Sequence, residues 1–563
     1  MRRRDFIAES GLVAGAAAAA LSGPGGPGWF GAMRRRPANV VLRGATVIDG
    51  TGRPPIAADV AVEGDRIASI DRNLAVTGAD EFDLRELVLA PGFFDIHSHT
   101  DLGLLVNPNA ESKIRQGVTT EIVGQDGSSI GPWTDDQFEG TRDRYRSQYG
   151  VELDFRDLGG FFRRLTRNAG SVNVASMVGA GTVRANVIGG DDRPATEAEL
   201  DRMVALVREA LGAGACGVSS GLEYIPGAFA SLEELAALAR PLNGTGLPYA
   251  SHMRNEDDQL FAAIEEALNV GRLANVPVQI SHLKAQGQRN WWKAEDALAM
   301  IEHARTDGID VTFDRYPYVA YSTGLNSLFP VWAREGGTDV FLGRLSNQTA
   351  MAAIEQEVRA KVAKLGSWDA VQITSTAADT LGWTRGRKLG ELARERSVEP
   401  YELLLRITHG DRGRTGMVGF GMSEENTELI LSHPLGMVCS DAGARATYGA
   451  LSSGTPHPRA YGSFPRVLGH YSRGRGLFGL ETAIRKFTAM PADKLRLSGR
   501  GRIVAGGFAD LVAFDPDTVA DTATFENPHQ YPTGIPHVMV NGQWVIRDGE
   551  HTGATPGRVL RPG

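Results

Sequence analysis

At positions 90–99 the chain has the stretch Ala90-Pro91-Gly92-Phe93-Phe94-Asp95-Ile96-His97-Ser98-His99. Its apolar part is typical of a buried strand, and a pair of histidines follows. Side chains on a strand alternate between its two faces, so residues two apart point the same way. We therefore expect His97 and His99 to project together from the carboxyl end of the strand, where two imidazoles suit Zn²⁺ or a similar metal ion.

Further apolar, strand-like runs continue through the middle of the chain, and amphipathic helical runs such as 196–211 and 232–242 lie between them. The candidate strands are 93–96, 118–123, 171–177, 216–220, 249–252, 276–282, 310–314, 418–421 and 436–440. Serial strand–helix units of this kind predict an α/β fold, a (β/α)8 TIM-like barrel over residues 91–499. The candidates outnumber the strands of such a barrel by one, so we expect one of the last two to lie outside it.

One interval, about 326–413, is too long for a simple crossover between neighbouring strands. It contains a helical run at 350–364. We interpret this interval as an insertion that covers the mouth of the barrel.

Short strand-like runs separated by glycines occur near both ends of the chain. They lie at 40–42, 45–48 and 60–62, and again at 511–514, 538–540 and 544–546. Short strands joined by close turns are typical of a small sheet. We therefore expect residues 37–90 and 500–563 to form one composite β-sandwich domain assembled from both chain ends.

The first residues have the features of an export signal. Arg3-Arg4-Asp5-Phe6-Ile7 precedes an alanine-rich apolar run over 11–21, a pattern that resembles a twin-arginine signal. The run is shorter than the roughly 20 residues that a membrane span needs. We expect residues 1–36 to be a signal and linker, the protein to be periplasmic, and the mature chain to have no stable membrane span.

The bulk composition is that of a globular protein and argues against some partners. The chain has 563 residues, of which 42% are hydrophobic and 22% charged, and its net charge is -8. This acidic balance argues against binding to nucleic acid or to an anionic membrane. The cysteines are Cys216 and Cys439, both in apolar segments. They are too few for a disulfide framework, and we expect two separate buried thiols.

Three more polar residues end apolar runs in the way that His97 and His99 do. His252 and His282 each close a strand-like run, and Asp441 follows another. In a barrel these positions converge at the carboxyl ends of the strands. Four histidines and a carboxylate there predict a metal site. The expected cofactor is Zn²⁺, as one ion or two, and the alternative is another divalent metal.

At this point the chain resembles the amidohydrolase superfamily, and within it the N-acyl-D-amino-acid deacylases. Besides residues 91–99 and Ser440-Asp441, the resemblance rests on Gln-Gly-Val-Thr-Thr at 116–120, Ser-Gly-Leu-Glu-Tyr-Ile-Pro-Gly at 220–227, Ser-His-Met-Arg-Asn-Glu at 251–256, Ile-Ser-His-Leu-Lys at 280–284 and His-Pro-Arg-Ala-Tyr-Gly at 457–462. It covers nearly the whole mature chain. It implies a barrel with a small β domain, a zinc site and a lid-like insertion.

One position departs from the family pattern. Members of the family carry a cysteine ligand in a Gly-Asn-Cys-Gly stretch after the second strand, whereas this chain has Gly124-Gln125-Asp126-Gly127. A carboxylate is a harder ligand than a thiolate and can bridge two ions. We expect Asp126 to remain a metal ligand. Glu223 is either a second bridging carboxylate or a substrate contact.

The expected reaction is hydrolysis of the amide bond of N-acyl-D-amino acids, or of related substrates that contain a D-amino acid. Metal-activated water would attack the carbonyl, with Asp441 as general base and then as general acid. The small-molecule substrate carries a carboxylate, which Arg254 and Lys284 are placed to bind. The resemblance adds Tyr224, Tyr316, Ser322 and Arg459 as substrate contacts. We expect His457 to support a loop.

Two alternatives remain at this stage. A cyclic-amide hydrolase or dipeptidase of the same superfamily commonly uses a carboxylated lysine on the fourth strand, and the run 216–220 contains none. A non-catalytic periplasmic binding protein would be expected to lack the base, yet Asp441 is present.

Overall fold

The structure is a computed structural model that describes residues 39–76 and 78–563. The predicted signal at 1–36 lies outside the described residues. The strands are β1 (Val40–Val47), β2 (Ile56–Glu63), β3 (Arg66–Asp71), β4 (Asp80–Asp83), β5 (Val88–Pro91), β6 (Phe93–Asp95), β7 (Val118–Val123), β8 (Asn173–Ser176), β9 (Val178–Gly179), β10 (Val218–Gly221), β11 (Tyr249–His252), β12 (Val278–Ile280), β13 (Val311–Arg315), β14 (Ala320–Gly324), β15 (Val371–Ser375), β16 (Gly416–Phe420), β17 (Gly436–Val438), β18 (Leu511–Phe514), β19 (His537–Val540), β20 (Gln543–Arg547) and β21 (Glu550–His551).

Helices connect most of these strands. They are α1 (Gly103–Val106), α2 (Glu111–Ile114), α3 (Asp135–Tyr149), α4 (Leu158–Arg167), α5 (Ala180–Val187), α6 (Glu197–Ala213), α7 (Leu232–Ala239), α8 (Leu260–Ala274), α9 (Lys293–Thr306), α10 (Val331–Arg334), α11 (Thr338–Arg344), α12 (Gln348–Leu365), α13 (Leu389–Glu395), α14 (Pro400–Gly410), α15 (Glu424–Ser432), α16 (Arg459–Arg466), α17 (Leu480–Phe487) and α18 (Ala489–Lys494). The helices predicted at 196–211 and 350–364 correspond to α6 and α12. Within the described residues, no helix has both the length and the apolarity that crossing a membrane requires.

Parallel strands followed by helices form the middle of the chain. β6, β7 and β8 pair in that order, and β9 to β13 continue to β17 in a second sheet, with every neighbour parallel. Met177 alone separates β8 from β9. At the other edge, a parallel bridge joins Ser98, just after β6, to Ala442, just after β17. The strand neighbours thus follow the chain order that serial strand–helix units predict, and the overall class is α/β.

The strand-like run at 418–421 lies outside this parallel set. It falls in β16, which pairs antiparallel with β14 and with β15. These strands and helices α10 to α14 belong to the long segment between β13 and β17. The expectation that one of the last two candidate strands lies outside the parallel series is therefore confirmed.

Both chain ends contribute to one nine-stranded sheet, in the order β21-β20-β19-β18-β5-β1-β2-β3 with β4 beside β1. β18 pairs antiparallel with β5, so the two ends of the chain meet in the middle of the sheet. Alternate residues face opposite sides: Leu511 packs in the sheet's own apolar cluster, whereas Val512 joins the large core of the parallel strands. The sheet therefore docks on the middle of the chain through one face. The domain boundaries given above remain a prediction.

Both cysteines are free and buried, as predicted. Cys216 precedes β10 and Cys439 follows β17, and burial raises the pKa of the Cys216 thiol to about 12. Such thiols remain protonated at neutral pH, and they play no part in the site described below.

Candidate metal centre

Side chains that follow six strands converge on one cavity of about 460 Å³. His97 and His99 follow β6, Asp126 follows β7, Glu223 follows β10, His252 ends β11, His282 follows β12 and Asp441 follows β17. Because the strands are parallel, their carboxyl ends lie at one edge. All of these residues except His97, which lies fully buried beneath them, line the cavity wall.

Asp126 lies at the centre of the cluster. Its Oδ1 is 3.2 Å from His97 Nε2 and 3.6 Å from His282 Nε2. Its Oδ2 is 3.4 Å from both His99 Nε2 and His252 Nδ1. The donors form three groups: His97, His99, Asp126 and Asp441 in the first, Asp126, His252 and His282 in the second, and Glu223, His252 and Glu256 in the third. Asp126 belongs to the first two groups, and His252 belongs to the last two.

Several buried donor atoms in this cluster have no hydrogen-bond partner among the described residues. They are both ring nitrogens of His97, both ring nitrogens of His252, and Asp126 Oδ1. Buried polar atoms are normally satisfied, and leaving them unpaired costs free energy. Imidazole nitrogens and carboxylate oxygens are ligands for Zn²⁺ and related divalent ions. The residues present therefore fit a metal ion.

The carboxylates of the cluster also favour positive charge. Burial lowers the pKa of His99, but Asp126 and Asp441 raise it to about 10. Burial likewise lowers the pKa of His252, and Asp126 and Glu223 raise it to about 10. At each histidine the neighbouring carboxylates raise the pKa by more than burial lowers it, so the cluster stabilises positive charge and suits a cation.

The backbone is strained where the ligands are presented. Asp126, His282 and Asp441 have φ values of 52°, 34° and 51°. Residues other than glycine rarely adopt this left-handed conformation, which costs of the order of 1–3 kcal/mol and occurs preferentially at functional sites. At Gly221, a Cβ would lie 2.1 Å from the carbonyl oxygen of Asp126. Only glycine therefore allows the Asp126 loop to pack against the end of β10.

Glu256 orients His282. Its Oε1 is 2.9 Å from His282 Nδ1 and accepts a hydrogen bond of 2.6 Å from Lys284 Nζ. Gln286 donates to the other oxygen at 2.6 Å. Lys284 Nζ also lies 2.6 Å from His282 Nδ1, so Glu256 and Lys284 together hold the ring with Nε2 facing Asp126 Oδ1 at 3.6 Å. Glu256 lies in a motif quoted above, but its role was not predicted.

Asp441 forms a buried ion pair with Arg459. Arg459 Nη1 donates to Asp441 Oδ2 at 2.8 Å, and Asp441 Oδ1 is 3.1 Å from His99 Nε2. Burial raises the pKa of Asp441, but Arg459 and the neighbouring histidines hold it well below its ordinary value. The carboxylate is therefore ionised at neutral pH, which is the state that a general base requires.

A buried network that sequence reasoning missed lies beneath the ligands. Lys113 Nζ donates to Asp95 Oδ2 at 2.6 Å, to Ser440 Oγ at 2.7 Å and to the carbonyl of Ala442 at 2.6 Å. Lys113 is fully buried on the short helix α2. Ser440 and Ala442 flank Asp441, and Asp95 lies two residues before His97. Lys113 therefore ties the two loops that carry these ligands to each other.

Most of the predicted substrate contacts line the cavity. They are Glu223, Tyr224, Lys284, Tyr316, Ser322 and Arg459. Glu223 Oε2 is 3.6 Å from His252 Nε2, and the Tyr224 hydroxyl is 3.2 Å from Thr323 Oγ1. The buried Tyr316 hydroxyl has no partner among the described residues and is available to a ligand.

Arg254 requires a correction, because the structure does not bring it into this cavity. Its guanidinium pairs with Glu266 at 2.8 Å and donates to the carbonyls of Ala228 and Ala230. It is therefore occupied in holding the loop after β10 against helix α8. His457 takes the loop-supporting place predicted for it: its Nε2 is 2.9 Å from the carbonyl of Ala320, and its Nδ1 accepts from the Arg459 backbone at 3.0 Å.

Comparisons with known proteins match the chain over most of its length. The model of the amidohydrolase family matches residues 80–412 and 428–546. D-aminoacylase of Alcaligenes xylosoxydans xylosoxydans is 38% identical over 534 residues, which are 93% of this chain and 98% of that protein.

Solved structures agree with that match. A structure of D-aminoacylase, from work on its binuclear metal centre, has a TM-score of 0.78 and 38% identity over 93% of this chain and 100% of that one. The N-acyl-D-glutamate deacylase of Bordetella bronchiseptica, solved with zinc and a phosphonate inhibitor that mimics the tetrahedral intermediate, has a TM-score of 0.78 and 33% identity over the same shares.

Proposed function

The chain belongs to the amidohydrolase family, and on that premise we propose that it is a metal-dependent deacylase of N-acyl-D-amino acids. The observation that carries the proposal is the ionised, buried Asp441 placed against the histidine cluster and paired with Arg459. D-aminoacylase and N-acyl-D-glutamate deacylase are similar over almost the whole chain. The cyclic-amide hydrolase, dipeptidase and binding-protein alternatives are not favoured.

The residues of the chain account for the two halves of amide hydrolysis. The donor cluster of His97, His99, Asp126, His252, His282 and Asp441 would hold a divalent metal, which would supply polarisation of the scissile carbonyl and a lowered pKa of water. Asp441 accepts a proton from the water as the water oxygen attacks the carbonyl carbon. It then delivers that proton to the amide nitrogen as the C–N bond breaks, because an amine leaves poorly unless it is protonated. The products are a carboxylate and a free D-amino acid.

The remaining cavity residues bind and orient the substrate. Lys284 and Arg459 supply positive charge for the carboxylate of the amino acid. The unpaired Tyr316 hydroxyl and Ser322 supply hydrogen-bond donors in the same wall. Tyr224 packs against the His252 ring with the ring centroids 4.8 Å apart, which limits how the substrate approaches that ligand.

We propose Zn²⁺ as the metal, as one ion or two, and Asp126 would be a ligand in either of the two donor groups to which it belongs. Nitrogen-rich donors with carboxylates support zinc. The two overlapping donor groups that share Asp126 support a second ion.

We also propose that the parallel strands close into a (β/α)8 barrel with a composite β-sandwich domain beside it. The Ser98–Ala442 bridge supports closure between β6 and β17, as do the hydrogen bonds from Asp441 N to His97 O at 2.9 Å and from His99 N to Ala442 O at 3.2 Å.

The enzyme is tested on matched amides. Metal-loaded protein is assayed for amine release from N-acetyl-D-methionine, N-acetyl-L-methionine, hydantoin and a dipeptide, before and after chelation. We expect turnover of the D-acyl substrate that chelation abolishes and added metal restores. Asp441→Asn should reduce kcat about 10³-fold, the contribution typical of general acid–base catalysis. Failure of fully loaded protein to cleave any of these amides would refute the proposal.

Export is a separate proposal that rests on Arg3-Arg4 and the apolar run after it. Periplasmic fractions of a bacterial host should contain the shortened chain. Arg3→Lys with Arg4→Lys should leave full-length chain in the cytoplasm. Equal export of both forms would contradict the proposal.

A further inference from the structure

A second cavity, of about 210 Å³, adjoins the catalytic one on the side of Asp441. The residues common to both walls are His99, Ser322, Asp441 and Arg459. We call the second cavity the side passage. Its wall also includes Ser375, at the end of β15, and Ser453, in the segment before α16, and both of these residues are exposed. The side passage therefore extends from the proposed base to the protein surface.

Arg445 lies in this wall as a cation without a partner. Its backbone is held by helix α2, because its amide donates to Ser112 Oγ at 2.8 Å and its carbonyl accepts from Ser112 N at 3.0 Å. Its guanidinium makes no hydrogen bond or ion pair with any residue that the structure describes. Burial lowers the pKa of Arg445, and the groups that oppose this shift are the tyrosines Tyr461 and Tyr149, not a carboxylate.

The acidic groups around the side passage do not compensate this charge. Asp441 is the only carboxylate among the described residues that line it, and Arg459 Nη1 already donates to Asp441 Oδ2 at 2.8 Å. Glu111, which precedes Ser112 on helix α2, pairs with Arg115 at 2.7 Å. The side passage therefore carries an excess of positive charge, and a guanidinium suits a carboxylate.

Hydroxyl groups line much of the rest of the side passage. The hydroxyls without a hydrogen-bond partner in the described part of the chain are those of Ser322, Thr374, Ser375, Ser453 and Thr455. Each can donate a hydrogen bond to an anion without adding charge of its own. The volume is below the roughly 300–1,000 Å³ that is typical of sites for drug-sized ligands. The side passage therefore suits a small anion.

We propose that the side passage is a product site, in which Arg445 binds the carboxylate released from the acyl group. This inference rests on the proposed deacylase function, because that reaction produces a carboxylate and a D-amino acid next to Asp441. The acyl product carries negative charge alone, whereas the D-amino acid also carries an ammonium that an unpaired guanidinium repels. The expected ligand is therefore a short monocarboxylate such as acetate, and the two products occupy different cavities.

Binding of the two products tests the site without turnover. Calorimetric titration of metal-loaded protein with acetate, and separately with D-leucine, gives a Kd for each product. In Arg445→Met the Kd of acetate should rise about 10-fold or more, because a charge-assisted hydrogen bond is lost. The Kd of D-leucine should change less than about 3-fold. Product inhibition of N-acetyl-D-leucine hydrolysis is the second readout, and the inhibition constant of acetate should rise by the same factor as its Kd.

Two further variants complete the test. Arg445→Lys should restore most of the acetate affinity, since it keeps the charge. Arg387→Gln removes an arginine that pairs with Glu395 at 2.6 Å outside both cavities, and it should leave both Kd values unchanged. Acetate that binds only at the metal would have the same Kd in wild type and Arg445→Met, and that result, or equal losses for acetate and D-leucine, would overturn the product site. If the loaded wild-type protein cleaves no N-acyl-D-amino acid, the proposed function fails, and the acetate titration still decides whether Arg445 binds a carboxylate.

Discussion

Arg459 donates from Nη1 to Asp441 Oδ2 at 2.8 Å, and the two side chains are 5% and 9% exposed. The contact occupies one carboxylate oxygen and leaves Oδ1 directed at His99, 3.1 Å away. The guanidinium thus fixes the orientation of the proposed base as well as its charge. Arg459 was predicted as a substrate contact, and the structure adds this second role.

Replacing Arg459 should therefore damage catalysis more than substrate binding. Arg459→Met leaves a buried carboxylate without its cation, a change that typically costs about 3–5 kcal/mol of stability. We expect kcat to fall about 10²-fold or more, because the base loses its fixed orientation. Steady-state kinetics with metal analysis of the same sample measure the fall in kcat, and urea unfolding measures the loss of stability.

A matched control for that variant is Arg466→Met, which breaks the pair with Asp521 at 3.1 Å away from the metal ligands. It should lower stability and leave kcat near the wild-type value. If Arg459→Met keeps wild-type kcat with full metal occupancy, Arg459 does not orient the base.

Asp126 should control metal binding directly. Because Asp126 belongs to two of the three donor groups, Asp126→Ala should lower metal affinity by about 10-fold or more. Asp126→Cys instead places a thiolate, a softer ligand, at the same position. In the cobalt-loaded variant a thiolate-to-cobalt charge-transfer band should appear in the near ultraviolet.

The wild-type protein is the control for that spectrum, because its own cysteines are buried and lie outside the donor groups. It should bind cobalt without the band. Absence of the band in the cobalt-loaded Asp126→Cys protein would show that the side chain at position 126 does not bind the metal.

Lys113 should act as a positioning residue for Asp441. Lys113 Nζ also lies 3.4 Å from the carboxylate of Glu121. Lys113→Met keeps the length of the side chain but leaves Asp95 and Glu121 without their buried cation. We expect a stability loss of about 3–5 kcal/mol. We also expect kcat and metal occupancy to fall together while KM changes little, since Lys113 does not line the cavity.

A second variant separates positioning from folding. Lys113→Met combined with Glu121→Gln removes one of the unpaired charges and should recover part of the stability, but kcat should stay low because the contacts to Ser440 and Ala442 are still missing. Recovery of kcat in parallel with stability would reduce Lys113 to a structural role.

The sequence predicted a site residue best where the residue's position depends only on the strand that it ends. His252 and His282 end apolar runs, and parallel strands in serial order bring such ends together without any further information. The carboxylate at position 126 was assigned as a ligand by resemblance, although a cysteine was expected there. Its neighbours Gly124 and Gly127, both with positive φ, are the local signal for the tight loop that presents it.

The sequence was least informative where a partner lies far along the chain. Arg254 follows a ligand by two residues, but Glu266 on helix α8 takes its guanidinium. Lys113 bonds to Ser440, 327 positions away, and no periodicity in either segment reveals that contact. The run at 418–421 has the apolarity of a barrel strand, and only its antiparallel pairing with β14 and β15 excludes it. Apolar patterns predict burial, and the choice of partner is set by tertiary packing.

Lys486 should make the free energy of unfolding increase as the pH rises above 7. It is 2% exposed on helix α17, and its Nζ donates to the carbonyls of His433 and Gly436. Burial, with a smaller contribution from Arg485, lowers its pKa to about 7. An unfolded lysine titrates near about 10.4. Between these values the unfolded chain holds more protons than the native one, so stability should rise from pH 7 to pH 10, by at most about 1.4 kcal/mol per pH unit.

Urea unfolding at several pH values measures that slope, and Lys486→Met should flatten it even if the lost hydrogen bonds lower stability throughout. Lys494, whose pKa burial lowers to about 8, contributes with the same sign, so some slope should remain in the single variant. Lys388→Met removes an exposed lysine and should leave the slope unchanged. A slope that is identical in wild type and Lys486→Met would mean that Lys486 keeps its proton on folding, stabilised by the two carbonyls more than burial opposes it.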